Sequence, residues 1–128
     1  MIPFARVSIV GLGLIGSSVA RAIREHMPTV RITGHDADQW TRDRAIEIGL
    51  CDDVTDQPSS AVIDADLVIL CVPVGAMGDV GAAIAADLPA DAIVSDVGSS
   101  KQSVANALAK ALPGATIIPA HPVAGTEN

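Results

Sequence analysis

The sequence predicts an α/β protein: a doubly wound parallel sheet with helices on both faces, in three α/β/α layers. Three observations carry this prediction. Short β-branched runs alternate with helical stripes along the whole chain, the order that builds β-α-β units. The apolar residues are mostly Ala, Val, Ile and Leu, with no Tyr, one Phe and one Trp, which suits buried parallel strands under small-residue helices. A glycine-rich turn joins the first strand to the first helix. The 128 residues are read as one domain, 1–128, large enough for its own core.

Each element has its own signal. Arg6 to Val10 is a β-branched run that stops at Gly11. Ile15, Val19, Ile23 and Met27 then recur every fourth residue, which predicts a helix with one apolar stripe, ended by Pro28. Val30 to Gly34 is a second strand. Asp38 to Gly49 is a second helix with Gly49 at its C-terminal end and a weak stripe of Trp40, Ala45 and Ile48. Cys51 to Thr55 holds a short third strand. Leu67 to Val72 is wholly apolar, so it belongs at the centre of the sheet. Met77, Val80, Ile84 and Leu88 mark a further helix. Gly78 and Gly81 inside it cost about 1 kcal/mol each relative to Ala, which suggests close packing on the sheet, with a locally irregular segment as the alternative. Ala92 to Asp96 is the next strand. Ser99 and Gln102 form a capping box ahead of the stripe Val104, Leu108, Ala111 and Leu112. Ala115 to Ala120 is the last strand.

Composition narrows the function. Fifteen acidic against eight basic residues give a net charge of -7. A phosphate-reading face needs clustered Lys and Arg, and single-strand binders need aromatic platforms, so nucleic acid is not an expected partner. No apolar run approaches the ~20 residues of a membrane span, and no membrane partner is expected. Residues 1–20 have the outline of a signal peptide, but three glycines break the apolar run and the helical pattern continues through the cleavage point. Cys51 and Cys71 lack metal-site spacing and read as small buried hydrophobes in a reducing cytoplasm. His26 and His35 read as surface residues. No metal site is expected.

Gly11-Leu12-Gly13-Leu14-Ile15-Gly16 has the spacing G-x-G-x-x-G. It follows a strand, opens a helix and precedes Asp36 by twenty residues, the context that marks a Rossmann-type dinucleotide site. Gly11 allows the tight turn, Gly13 lets a pyrophosphate approach the backbone, and Gly16 lets helix and strand pack closely. The N–H groups at Leu14, Ile15 and Gly16 sit at the positive end of the helix dipole. Asp36 would accept hydrogen bonds from the adenosine ribose and repel a 2′-phosphate, which favours NAD, with NADP as the alternative. Arg42 and Arg44 bear on that choice: either could pair with a 2′-phosphate, or lie on an exposed helix face. Ligands of such sheets lie outside the carboxyl ends of the strands. The residues there include Cys71, Val72, Pro73 and Val74, and Gly98.

Two further strings fall at that edge. Asp96-Val97-Gly98-Ser99-Ser100-Lys101 ends one strand and opens a helix. A lysine in a first helical turn opposes the dipole, which is tolerable where Lys101 faces an anion. His121 is bracketed by Pro119 and Pro122, which hold the backbone extended. An imidazole fixed there can act as acid or base near neutral pH.

With these strings in place, the whole chain resembles the nucleotide-binding half of the prephenate/arogenate (cyclohexadienyl) dehydrogenase family of tyrosine biosynthesis. The matching strings are VGLGLIGSS at 10–18, DLVILCVPV at 66–74, SDVGSSK at 95–101 and HPVAGTE at 121–127. The first two are shared with many NAD(P) dehydrogenases; the last two are specific. The resemblance implies NAD-dependent oxidative decarboxylation of prephenate or arogenate. It makes His121 the acceptor of the substrate hydroxyl proton and Ser99 the residue holding histidine and hydroxyl in line. Ser99, Lys101, His121 and Glu127 are then the substrate-binding residues, Glu127 shaping the entrance. Family members commonly carry Val where this chain has Ser100, and an apolar residue where it has Arg42.

Family members continue into a helical domain that completes the substrate pocket and a homodimer. That domain is absent from this chain, so the chain is expected to bind NAD but to turn over little alone. Exposed apolar surface would mark where such a partner docks. Two other readings stay open: another Rossmann-type β-hydroxyacid or imine dehydrogenase, and a non-catalytic nucleotide-sensing module.

Overall fold

A computed structural model describes residues 4–97 and 102–119. Six parallel strands form one sheet in the order β3-β2-β1-β4-β5-β6. They are β1 (Arg6–Val10), β2 (Arg31–His35), β3 (Asp53–Thr55), β4 (Leu67–Leu70), β5 (Ile93–Asp96) and β6 (Thr116–Pro119). The helices are α1 (Leu14–His26), α2 (Gln39–Glu47), α3 (Pro58–Ala61), α4 (Met77–Ile84) and α5 (Gln102–Ala111), with a 3-10 turn at Val74–Ala76 before α4. This is the doubly wound Rossmann-type architecture that the strand and helix pattern predicts.

Strand order explains the layers. The chain winds outward from β1 to β3, returns, and winds the other way from β4 to β6. Right-handed crossovers in opposite directions put their helices on opposite faces. One apolar cluster accordingly joins Val7, Ile9 and Ile32 of the sheet to Ala20 and Ile23 of α1 and Ala45 of α2. The other joins Val10, Val68, Leu70 and Val94 to Met77 and Ile84 of α4 and Leu108 of α5. Successive strand residues point to opposite faces: Ile69 faces the first cluster, Val68 and Leu70 the second. β4 lies between β1 and β5, which accounts for its wholly apolar sequence.

Among the described residues, the face of α1 and α2 is covered only over β1 to β3. Over β4 to β6, Phe4, Leu67, Ile69, Ile93, Val97 and Ile118 line an apolar groove of about 200 Å³. Ile118 is 49% exposed there.

Several expectations need correction. The buried stripe of α1 is Gly16, Ala20 and Ile23, whereas Ile15 is exposed. The first turn of α1 projects past the sheet edge, so its apolar residues face a cleft rather than the core. In α2 only Ala45 is buried, while Trp40 and Ile48 are exposed. Leu88 lies beyond the end of α4. Gly81 serves helix-helix packing rather than packing on the sheet: a Cβ there would sit 3.0 Å from the Ala111 Cβ and 3.4 Å from Leu108 Cδ2 of α5. The short helix α3 was not anticipated. The capping box at Ser99 lies outside the described residues.

Candidate functional site

The site is built at the carboxyl ends of β1, β2 and β4, where strand order reverses between β1 and β4. Such reversals open a crevice above the sheet. Here it is a cleft of about 770 Å³, within the range of small-molecule sites, lined by Gly11, Gly13, Leu14, Ile15, His35, Asp36, Cys71, Val72 and Pro73 among others.

The turn out of β1 depends on its glycines. Gly11 has φ +102, a conformation that L side chains rarely adopt. Its N–H donates to the His35 carbonyl at 2.7 Å, and a Cβ would lie 2.8 Å from the Cys71 carbonyl carbon. Gly16 is buried beneath the turn. A Cβ there would overlap the Gly11 carbonyl oxygen and lie 2.9 Å from its carbon. Gly13 differs, because a Cβ on it would meet nothing within 4 Å. The space in front of Gly13 belongs to the cleft.

α1 begins at this turn without a side-chain cap and with no acidic residue in its first turn. Its leading N–H groups therefore remain available to an anion, which is the chemistry of a pyrophosphate cradle. Leu14 is 88% and Ile15 53% exposed. Apolar side chains at the cleft mouth give a flat ligand something to lie against. These features fit a dinucleotide.

Asp36 follows β2 directly. Its carboxylate accepts the Leu12 N–H at 2.8 Å and the Asp38 N–H at 2.9 Å. It thus ties the glycine turn to the loop entering α2, besides lining the cleft. Each oxygen keeps a second lone-pair direction for a ligand hydroxyl. Arg42 is half-buried and does not lie free on the helix face: its Nη1 donates to the carbonyls of Asp36 and Ala37, at 2.9 and 3.0 Å. Arg44 is exposed and pairs with Glu47 at 3.0 Å.

Cys71 lines the cleft as a free thiol and Cys51 is buried and free. Burial pushes both thiols up to about 11. Both stay protonated at neutral pH, which removes them as nucleophiles and fits their reading as small hydrophobes.

Of the expected cofactor residues, Gly11, Gly13, Leu14, Ile15, Asp36, Cys71, Val72 and Pro73 come together around the cleft. Gly16 supports the turn from below. Val74 starts the 3-10 turn that follows. Gly98, Ser99, Lys101, His121 and Glu127 lie outside the described residues. Asp96, at the end of β5, is buried.

His35 and Gly34 have roles that the sequence reading does not assign. His35, expected at the surface, is only 6% exposed; its ring Nδ1 lies 3.0 Å from the Thr55 carbonyl, and it lines the cleft. At Gly34 a Cβ would meet Cys51 Sγ at 2.7 Å and Leu12 Cδ1 at 3.1 Å, so it makes room for the buried Leu12 side chain. A glycine inside a strand was the available signal.

Known proteins share this fold. Residues 19–128 match the family described as prephenate dehydrogenase, nucleotide-binding domain. The cyclohexadienyl dehydrogenase of Zymomonas mobilis is 51% identical over all 128 residues, which span 44% of its length. The prephenate dehydrogenase of Aquifex aeolicus, solved with hydroxyphenyl propionate and NAD+, superposes with a TM-score of 0.86 at 29% identity, over 99% of this chain and 44% of that one. The arogenate dehydrogenase of Synechocystis gives 0.82 at 31% identity, over 96% and 42%. The chain therefore spans less than half the length of these proteins. On the match over 19–128, it belongs to the prephenate dehydrogenase family, whose nucleotide-binding domain it carries.

Proposed function

We propose that this chain binds NAD and is the cofactor-binding portion of an enzyme that oxidatively decarboxylates prephenate or arogenate in tyrosine biosynthesis. The observation that carries the proposal is the uncapped start of α1 at an open Gly13, with Asp36 at the same cleft. The family and the NAD+ bound to the Aquifex relative support the identity of the nucleotide.

The residues divide the work. The α1 N–H groups hold the pyrophosphate, Asp36 the adenosine ribose, and Leu14, Ile15, Val72 and Pro73 the flat parts of the dinucleotide. NAD held there would supply the hydride acceptor. His121 takes the proton from the hydroxyl of the ring carbon that loses that hydride. The electron pair of the breaking bond to the carboxyl group enters the ring, which aromatises as carbon dioxide leaves, and the ring oxygen takes the proton back from His121. Ser99 holds His121 and the hydroxyl in line, and Lys101 and Glu127 contact the substrate. The apolar groove over β4 to β6 among the described residues supports docking of a helical domain, which would complete the pocket and the homodimer in a cytoplasmic enzyme.

Calorimetric titration with NAD tests the cofactor reading. Saturable binding is expected; no heat and no thermal shift at millimolar NAD would refute it. An assay with prephenate tests the division of labour. Little or no turnover is expected from these 128 residues, whereas robust turnover would show that no second domain is required.

A further inference from the structure

The peptide between Leu12 and Gly13 is held from its far side. Ser17, in the first turns of α1, donates its hydroxyl to the Leu12 carbonyl at 3.0 Å. The Leu12 N–H is held by Asp36 at 2.8 Å, and the Gly13 carbonyl accepts the Ser17 N–H at 2.9 Å. A trans peptide is planar, with its C=O and N–H pointing in opposite directions. Turning the Leu12 carbonyl inward onto Ser17 therefore turns the Gly13 N–H outward. That N–H has no acceptor among the described residues, and Gly13 lines the cleft with open space in front of it.

We infer that Ser17 is a positioning residue that aims the Gly13 N–H at the pyrophosphate. It need not touch the ligand. Without the hydroxyl, the Leu12–Gly13 plane is free to rotate and the N–H must be re-ordered at the moment of binding, which weakens the contact. Ser17 stands outside the glycine motif itself. The inference rests on the NAD reading above.

The test compares wild type with Ser17→Ala, and Ser17→Thr with Ser17→Val. The second pair keeps shape nearly constant and differs by one hydroxyl. Each protein is titrated with NAD and, by competition, with adenosine, which lacks phosphate. NAD affinity should fall about tenfold in Ser17→Ala and Ser17→Val and stay within about threefold of wild type in Ser17→Thr, the scale of one hydrogen bond. Adenosine affinity should be alike in all four. Equal NAD binding by the Thr and Val variants would overturn the inference, as would a parallel loss for adenosine, which would mean general loosening of α1. Failure of the wild type to bind NAD would instead bring down the reading on which the inference rests.

Discussion

Gly16 and Gly13 lie in one turn and are glycines for opposite reasons. On the inner side, a Cβ at Gly16 would overlap the Gly11 carbonyl oxygen, so the fold itself excludes any side chain. On the outer side, a Cβ at Gly13 would meet nothing of the protein; only a ligand could object to it. The spacing G-x-G-x-x-G thus mixes a folding requirement with a binding requirement. Substitutions at the two positions should separate stability from affinity.

The largest effect is expected on the inner side. Gly16→Ala places a methyl against backbone that cannot move without breaking the turn out of β1. Overpacking of this kind costs about 3 kcal/mol or more when backbone must shift, and the variant should melt far below wild type or fail to accumulate as folded protein. Gly11→Ala should follow closely. It combines a positive φ, worth about 1–2 kcal/mol for a non-glycine residue, with a contact against Cys71 backbone. Denaturant midpoints measure both. A wild-type midpoint for Gly16→Ala would mean that the turn relaxes and that the inner side is no stricter than the outer.

Gly13→Ala should leave stability nearly untouched. Alanine is a poorer N-cap than glycine by several tenths of a kcal/mol, but it also restricts the unfolded chain by about 0.4–1 kcal/mol. The two contributions offset, and the melting temperature should stay within about 3 °C. NAD affinity should nevertheless fall about a hundredfold, because the methyl occupies the approach to the Gly13 N–H and displaces more than one hydrogen bond. Calorimetry with a parallel melting curve reads both quantities. Unchanged affinity would show that the open space at Gly13 is not where the pyrophosphate lies.

Asp36 joins the two sides of the comparison, since it braces the turn at Leu12 and faces the cleft. Asp36→Ser should cost a modest amount of stability, weaken NAD by about tenfold, and narrow the preference over NADP by removing the charge that repels a 2′-phosphate. Arg42, held beside it on the Asp36 and Ala37 carbonyls, would then be a cation close to that phosphate. A wild-type protein that already prefers NADP would show that Asp36 does not read the ribose.

What was legible in the sequence follows the same division. β4 was assigned to the sheet centre because burial on both faces leaves a continuous apolar run. The glycine turn at 11–16 and Asp36 are legible because strand, turn, helix and acid occur in the order that the ligand requires. Ile15 was assigned to the buried stripe because periodicity cannot distinguish an apolar residue facing the core from one facing a ligand cleft. His35 reads as a surface residue in the sequence because its partner, the Thr55 carbonyl, is brought to it only by the pairing of β2 with β3. The purpose of Gly81 is hidden in the sequence for a similar reason, as the neighbour that restricts it belongs to α5, far along the chain. α3 has four residues, too few to show a period. Local signals survived; pairings between distant segments did not.

Gly49 sharpens the comparison by isolating a third reason for glycine. It follows α2 with φ +66, yet a Cβ there would meet nothing within 4 Å. Space permits a side chain, as at Gly13, but the backbone conformation disfavours one, as at Gly11. Gly49→Ala should therefore carry only the left-handed penalty of about 1 kcal/mol, with NAD affinity unchanged because the cleft is remote. Gly49→Asn should lose less, since asparagine tolerates that conformation better. Equal losses for Ala and Asn would mean that something other than φ selects glycine at this helix end. A loss as large as that of Gly16→Ala would mean that overlap with backbone is not what makes the inner side of the turn strict.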